Sequence, residues 1–169
     1  METEEAVRTR LNRREFSPEP VDDDDLERIL EAGRRAPSAR NWQPWDFVVV
    51  TDADRKAQLA GVWPGAWHVA HAATVIALVA PVVEREQEKT LYFDLGQTTI
   101  TIMLVATDLG LATAHANASD QDLARSILGF PEDRFLSNMI SVGHPAAGAL
   151  GQIEVDRRPL DELVHRETW

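Results

Sequence analysis

Arg10, Asn12 and Arg14 alternate along one short stretch near the start of the chain. On an extended backbone, residues two apart point to one side. This stretch therefore presents two guanidinium groups and one amide to a common ligand. The planar fork of arginine matches phosphate oxygens in pairs. The spacing fits a phosphate clamp, and it equally fits a solvated basic stretch. The string Ala36-Pro-Ser-Ala-Arg-Asn-Trp-Gln-Pro-Trp45 comes next, followed by the apolar run Phe47–Val50. A turn over Pro37 and Ser38 delivers Asn41 and Gln43 to the mouth of a sheet, and their amides both donate and accept hydrogen bonds. Trp42 and Trp45 read as core side chains.

Other chemistry-bearing residues carry weaker signals. His68 and His71 form an H-x-x-H pair, but no carboxylate or further histidine lies at a supporting spacing for a metal. His115 stands alone and reads as a structural or surface residue. Arg157 and Arg158 read as solvent charges ahead of a closing helix. No glycine-rich dinucleotide loop, P-loop or nucleophile elbow is found. With no cysteine, there is no thiolate nucleophile and no iron–sulfur ligand.

The elements that must position these residues can be read from capping and periodicity. Asp22–Asp25 open a helix that runs through Leu26, Ile29, Leu30 and Gly33 and ends before Pro37. Strands are expected at 47–50, 74–79, 111–115 and 138–142. Thr51 and Ser119 are expected to cap two short helices, with Asp54 and Asp122 completing capping boxes. The segment 81–90 reads as short and polar. A long helix over 91–109 carries Leu91, Leu95, Thr98, Ile102, Val105 and Leu109 on one stripe. Ile100, Met103 and Leu104 add apolar surface outside that stripe, which places the helix centrally or at a subunit interface. Strands separated by helices, without repeat or linker, imply one α+β or α/β domain over residues 1–169.

The 169 residues are enough for a substantial core, and 44% are apolar. A net charge of −11 argues against a nucleic-acid partner. No apolar run reaches the ~18 residues of a membrane span. The acidic N-terminus lacks the layout of a signal peptide, so a cytoplasmic protein is expected.

The signature A-P-S-x-x-N-x-Q-P-W resembles that of the nitroreductase family, whose members use flavin mononucleotide (FMN). Three further stretches point the same way. Arg10-Leu-Asn-Arg-Arg-Glu-Phe16 falls where the family has R-R-S-x-R-x-F, with Leu11 for the second arginine and Asn12 for serine. Leu109–Asn117 is similar to its G-L-G-T strand, with Ala112 for the second glycine, and Asp94 and Gly96 match D-x-G on a central helix. Ile140-Ser-Val-Gly-His-Pro145 and Arg157-Arg-Pro-Leu160 are similar to its closing V-G-x-P and R-x-P-L patterns.

The resemblance implies a mostly antiparallel sheet flanked by helices, in a homodimer with a long central interface helix. It implies FMN at the subunit interface, held by residues of both chains. Arg10, Asn12 and either Arg157 or Arg158 would hold its phosphate. Arg14 would be the cation at the N1–O2 edge of the ring. Pro37, Ser38, Asn41 and Gln43 would line the flavin, Asp94 would position the helix, and His115, Ala116 and Asn117 would form the loop beneath N5. No side chain is a catalytic nucleophile on this reading. The implied activity is ping-pong hydride transfer from NADH or NADPH to nitroaromatics, quinones or similar flat acceptors. Reductive dehalogenation or dehydrogenation on the same flavin is a second reading, and a non-catalytic FMN sensor a third. The short 81–90 segment and an abbreviated C-terminal arm would leave the pocket open.

Overall fold

The computed structural model describes residues 1–148 and 156–169. Four strands form one antiparallel sheet: β1 (Asp46–Val50), β2 (Thr74–Pro81), β3 (Ala112–Asn117) and β4 (Arg134–Gly143). Their order is β1–β2–β4–β3. β2 is buried from Thr74 through Ala80 because both faces of the sheet are covered. On one face lie α3 (Ala53–Leu59), α5 (Gln121–Leu128) and a short 3-10 helix, Trp67–His71. They enclose a core that includes Leu59, Val69, Val75, Ala77 and Met139. On the other face lie α2 (Asp23–Arg34) and α4 (Arg85–Asp108), packed through Ile29, Ile76, Ile102 and Ile140. The expected α+β architecture is present. Burying an aliphatic side chain contributes ~1.5–3 kcal/mol, so Leu91, Leu95, Ile102 and Met103 of α4 anchor that helix on the sheet.

α1 (Thr3–Thr9) leads into an arm that covers the outer edge of β3. Asn12 bridges Thr113, the Arg13 N–H donates to the Thr113 carbonyl at 2.8 Å, and Phe16 bridges Pro145. The arm is thus extended where the alternation of Arg10, Asn12 and Arg14 requires it.

Several boundaries differ from the sequence reading. α4 begins at Arg85 rather than at residue 91. Its first turns are exposed all round, so no apolar period marks them, and Glu86 and Glu88 favour the helix dipole. The caps of α3 and α5 are Asp52 and Asp120, one residue after Thr51 and Ser119. Their carboxylates accept the Arg55 and Leu123 N–H groups at 2.9 Å. Ser119 instead donates its hydroxyl to the Val62 carbonyl at 3.0 Å. β4 starts at Arg134 and contains a bulge. Leu78 faces Asn138 and Val79 faces Leu136, leaving Ser137 unpaired. The Gln121 amide fills that break: it accepts the Leu136 N–H at 2.8 Å and donates to the Leu136 carbonyl at 2.9 Å.

His68 and His71 do not act as a pair. His71 is exposed, whereas His68 is fully buried with Nδ1 2.9 Å from Ser141 Oγ. Among the described residues no His, Cys, Asp and Glu side chains group to hold a metal. Burial, and then the Arg14 and His115 charges, push the His68 imidazole down from 6.5 to about 4. Between those values the unfolded chain binds a proton that the folded one refuses, so stability rises with pH. The shift corresponds to at most about 3 kcal/mol. We expect chemical-denaturation stability to fall as pH drops from 6.5 towards 4, and the fall to be shallower in His68→Gln. Identical pH profiles for the two proteins would show that His68 is not the group responsible.

Candidate functional site

Arg10 and His115 line one cleft of about 380 Å3 between α4 and the β3–β4 end of the sheet. Tyr92 and Gly96 come from α4, and Ser137 and Asn138 from the β4 bulge. None of the described residues lining this cleft is acidic, in a chain of net charge −11. Leu11 and Arg13 line a separate pocket with Thr107 and Leu111. The arm therefore sends alternate side chains to opposite sides, as its spacing requires. Arg14 is exposed, and its charge acts on both His115 and His68. Asn12 Oδ1 is buried without a hydrogen-bond partner among the described residues.

His115, Ala116 and Asn117 are not a loop: they complete β3, opposite Ile140, Met139 and Asn138. The strand persists because β4 extends far enough to pair with it. Ala114 and Ala116 are buried on one face, so His115 projects from the other, towards α4. Ala116 thus offers a cofactor its backbone alone. Asn117 Oδ1 accepts the Ala118 N–H at 2.8 Å.

The loop after α2 is built differently. Arg40, Asn41 and Gln43 have φ of 53°, 57° and 54°, a left-handed region that costs side-chain-bearing residues of order 1–3 kcal/mol each. Several bonds hold this shape. Ser38 Oγ accepts the Gln43 N–H at 2.9 Å, and Gln43 Nε2 donates to the Asn41 carbonyl at 2.9 Å. Buried Asp94, on α4, accepts the Ala39 N–H at 3.0 Å. Gln97 Nε2 lies 3.3 Å from Asp94 Oδ1 and 3.4 Å from the Pro37 carbonyl. Asp94 thus clamps the loop to the helix. Asn41 is exposed on this loop, as are Arg40 and Gln43. Trp45 is buried as expected, but Trp42 is 41% exposed and lines a cleft of about 610 Å3 with Arg40, Glu86 and Gln87.

These two groups sit on opposite flanks of α4. Asp94 and Gln97 face the loop; Tyr92, Thr99 and Met103 face the Arg10 cleft. Between them Tyr92, Phe93, Gly96 and Ile100 lie exposed. The structure therefore does not bring Pro37, Ser38, Asn41 and Gln43 to Arg10, Asn12, Arg14 and His115 within one chain. Arg157 and Arg158 are exposed, and Arg158 Nε is 3.4 Å from Glu162 Oε2. No described residue of the 156–169 tail lines the Arg10 cleft.

The model of the Nitroreductase family matches residues 7–67, which hold both the arm and the loop. An NADH dehydrogenase of Thermus thermophilus is 29% identical over 198 aligned positions, covering 97% of this chain and 95% of that protein. The chain is similar to the nitroreductase family over its arm and loop. Solved structures share the nitroreductase fold. Nitroreductase A from Vibrio parahaemolyticus superposes with a TM-score of 0.88 at 24% identity, over all of this chain and 77% of that one. An FMN-dependent nitroreductase from Clostridium difficile superposes at 0.81 with 21% identity, over 97% and 98%.

Tyr92, Ser137 and Asn138 are cleft residues that the sequence did not single out. Ser137 and Asn138 reach the cleft through a bulge, which has no sequence mark here. Tyr92 stands one residue from the buried stripe of α4. Asp94 and Gly96 were legible as part of the family motif, but the clamp that Asp94 makes was not. Gly96 is exposed in mid-helix, and a Cβ there would meet no atom within 4 Å. Glycine costs a helix roughly 0.5–1 kcal/mol relative to alanine, and nothing within the described chain requires it.

Proposed function

We propose that this chain, acting as one domain over residues 1–169, is an FMN-dependent NAD(P)H oxidoreductase that works as a homodimer by ping-pong transfer to nitroaromatics, quinones or similar flat acceptors. The observation that carries this reading is the placement of the two residue groups on either flank of an exposed apolar stripe of α4. A two-fold contact along that stripe would set the Arg10 cleft of one protomer beside the Pro37–Gln43 loop of its partner. Gly96 would let the partner backbone or the ligand approach closely.

The residues present fit FMN. The Arg10 cleft offers a guanidinium without a competing carboxylate, which suits a phosphate ester. The orphaned Asn12 amide oxygen has an acceptor to satisfy, and rotating the amide would present its NH2 group instead. When bound, FMN supplies two-electron hydride chemistry that no side chain here can perform. The protein's part is to hold and tune. Arg10 and Asn12 bind phosphate. Arg157 or Arg158 would join them; of the two, Arg158 also contacts Glu162. Arg14 supplies positive charge at the ring edge, which favours the reduced, anionic form. The strained loop pre-sets Asn41 and its neighbours for the partner's cofactor.

The purified protein should be yellow, and anaerobic NADH or NADPH should bleach it. Initial rates at several fixed acceptor concentrations should give parallel double-reciprocal lines. Intersecting lines would rule out the ping-pong sequence. A flavin that neither nicotinamide reduces would sink the reductase and favour a sensor.

A further inference from the structure

Two cavities run end to end along the loop flank of α4. The outer one, of about 610 Å3, is lined by Arg40, Trp42, Glu86 and Gln87. The inner one, of about 450 Å3, is lined by Pro37, Ser38, Lys89 and Asp94 among others. Ala39 and Thr90 line both and form the neck between them. A cation stands next to each member of that neck: Arg40 follows Ala39, and Lys89 precedes Thr90. The side chains of Arg40, Lys89 and Glu86 make no hydrogen bond or ion pair among the described residues. Asp94, the other carboxylate here, is buried and accepts the Ala39 N–H. Arg40 holds a φ of 53° that no bond of its own side chain supports, and unrepaid backbone strain points to function. Beyond the neck, Trp42 offers a flat face that is 41% exposed. Glu86 and Gln87 lie one turn outward from Thr90 on α4. Nitroaromatics and quinones carry acceptors only, so they have no hydrogen for the Glu86 carboxylate. A nucleotide has every complement: a base that stacks on indole, ribose hydroxyls that donate to a carboxylate or an amide, and phosphate for the cations.

We propose that this groove holds the non-reacting half of the nicotinamide donor: Arg40 and Lys89 flank its diphosphate, Trp42 stacks on the adenine, and Glu86 and Gln87 take the ribose hydroxyls. The inference rests on the reading that a nicotinamide reduces a flavin held against the Pro37–Gln43 loop. That reading puts the nicotinamide at the inner cavity and the adenosine at the outer one, with the diphosphate passing between the two cations at the neck. A carboxylate that accepts a 2′-hydroxyl repels a 2′-phosphate, so the groove favours NADH over NADPH.

The test uses the holoenzyme with two probes that lack nicotinamide, ADP-ribose and adenosine. NMR follows the indole N–H resonance of Trp42, identified by its loss in Trp42→Phe. ADP-ribose should shift that resonance. Its dissociation constant should rise about tenfold in Arg40→Gln and in Lys89→Gln, while adenosine binds both variants as it binds wild type. Arg85→Gln removes a charge from the first turn of α4 without lining either cavity, and should bind ADP-ribose as wild type does. In anaerobic stopped-flow reduction, wild type should half-saturate at a lower concentration of NADH than of NADPH, and Glu86→Gln should narrow that gap several-fold. An unmoved Trp42 resonance, or equal ADP-ribose affinity in the Arg40, Lys89 and Arg85 variants, overturns the proposal even where NADH bleaches the flavin. Preference of wild type for NADPH overturns the place given to Glu86. A flavin that neither nicotinamide reduces, in a protein that still binds ADP-ribose, overturns the reductase reading and the donor with it.

Discussion

Replacing Arg10 with alanine is expected to raise the dissociation constant for FMN about a hundredfold while leaving the fold intact. Arg10 is the guanidinium that lines the carboxylate-free cleft, and it is only half-buried, so little core packing is lost. A hydrogen bond to a charged group contributes about 1.5–3 kcal/mol, and a bidentate arginine–phosphate pair lies at the upper end of that range. A hundredfold change corresponds to about 2.7 kcal/mol. Arg85→Ala is the matched control, since it removes the same charge from the exposed first turn of α4. Fluorescence titration of the two apoproteins checks the expectation, and circular dichroism confirms that both remain folded. Equal FMN affinity in the two variants would remove the phosphate clamp from the arm.

Gly96→Leu is expected to yield a folded monomer that no longer retains FMN. In the isolated chain nothing lies within 4 Å of a Cβ at this position, so the new side chain has room and the helix gains a better former. Gly96→Ala should for the same reason stabilise the helix by roughly 0.5–1 kcal/mol in the absence of a partner. If a second α4 or a flavin approaches along the Tyr92–Ile100 stripe, however, a branched side chain at its centre blocks the approach. The expected signature is opposed: undiminished helical stability alongside lost assembly and lost cofactor. Light scattering coupled to size exclusion reads the mass, and the flavin absorbance of the same peak reads retention. A dimer of normal flavin content in Gly96→Leu would place the interface elsewhere.

The order of these elements was legible in the chain because local physics marks it. The alternating arm, the aspartate run that opens α2 and the apolar run of β2 each carry a period or a terminus signal within a few residues. The family motifs marked Arg10, Asn41 and Asp94 in the same local way. Where no such mark existed, the boundaries moved. The polar first turns of α4 carry no hydrophobic period, and the long β4 owes its extent to β2 and β3, which pair with it from distant parts of the chain.

The sequence by itself determined the order of helices and strands, the α+β class and which residues are candidates to grip a phosphate, since those depend on residue type and short-range spacing. Only the tertiary structure decided how they are distributed. It carried β3 on through Asn117, turned His115 towards α4 and gave Asp94 the task of clamping a strained loop. It also parted the Arg10 cleft from the Asn41 loop by the width of one helix. That separation arises because α4 buries one face on the sheet and leaves another in the open, and which residues flank that open face depends on packing between segments remote in sequence.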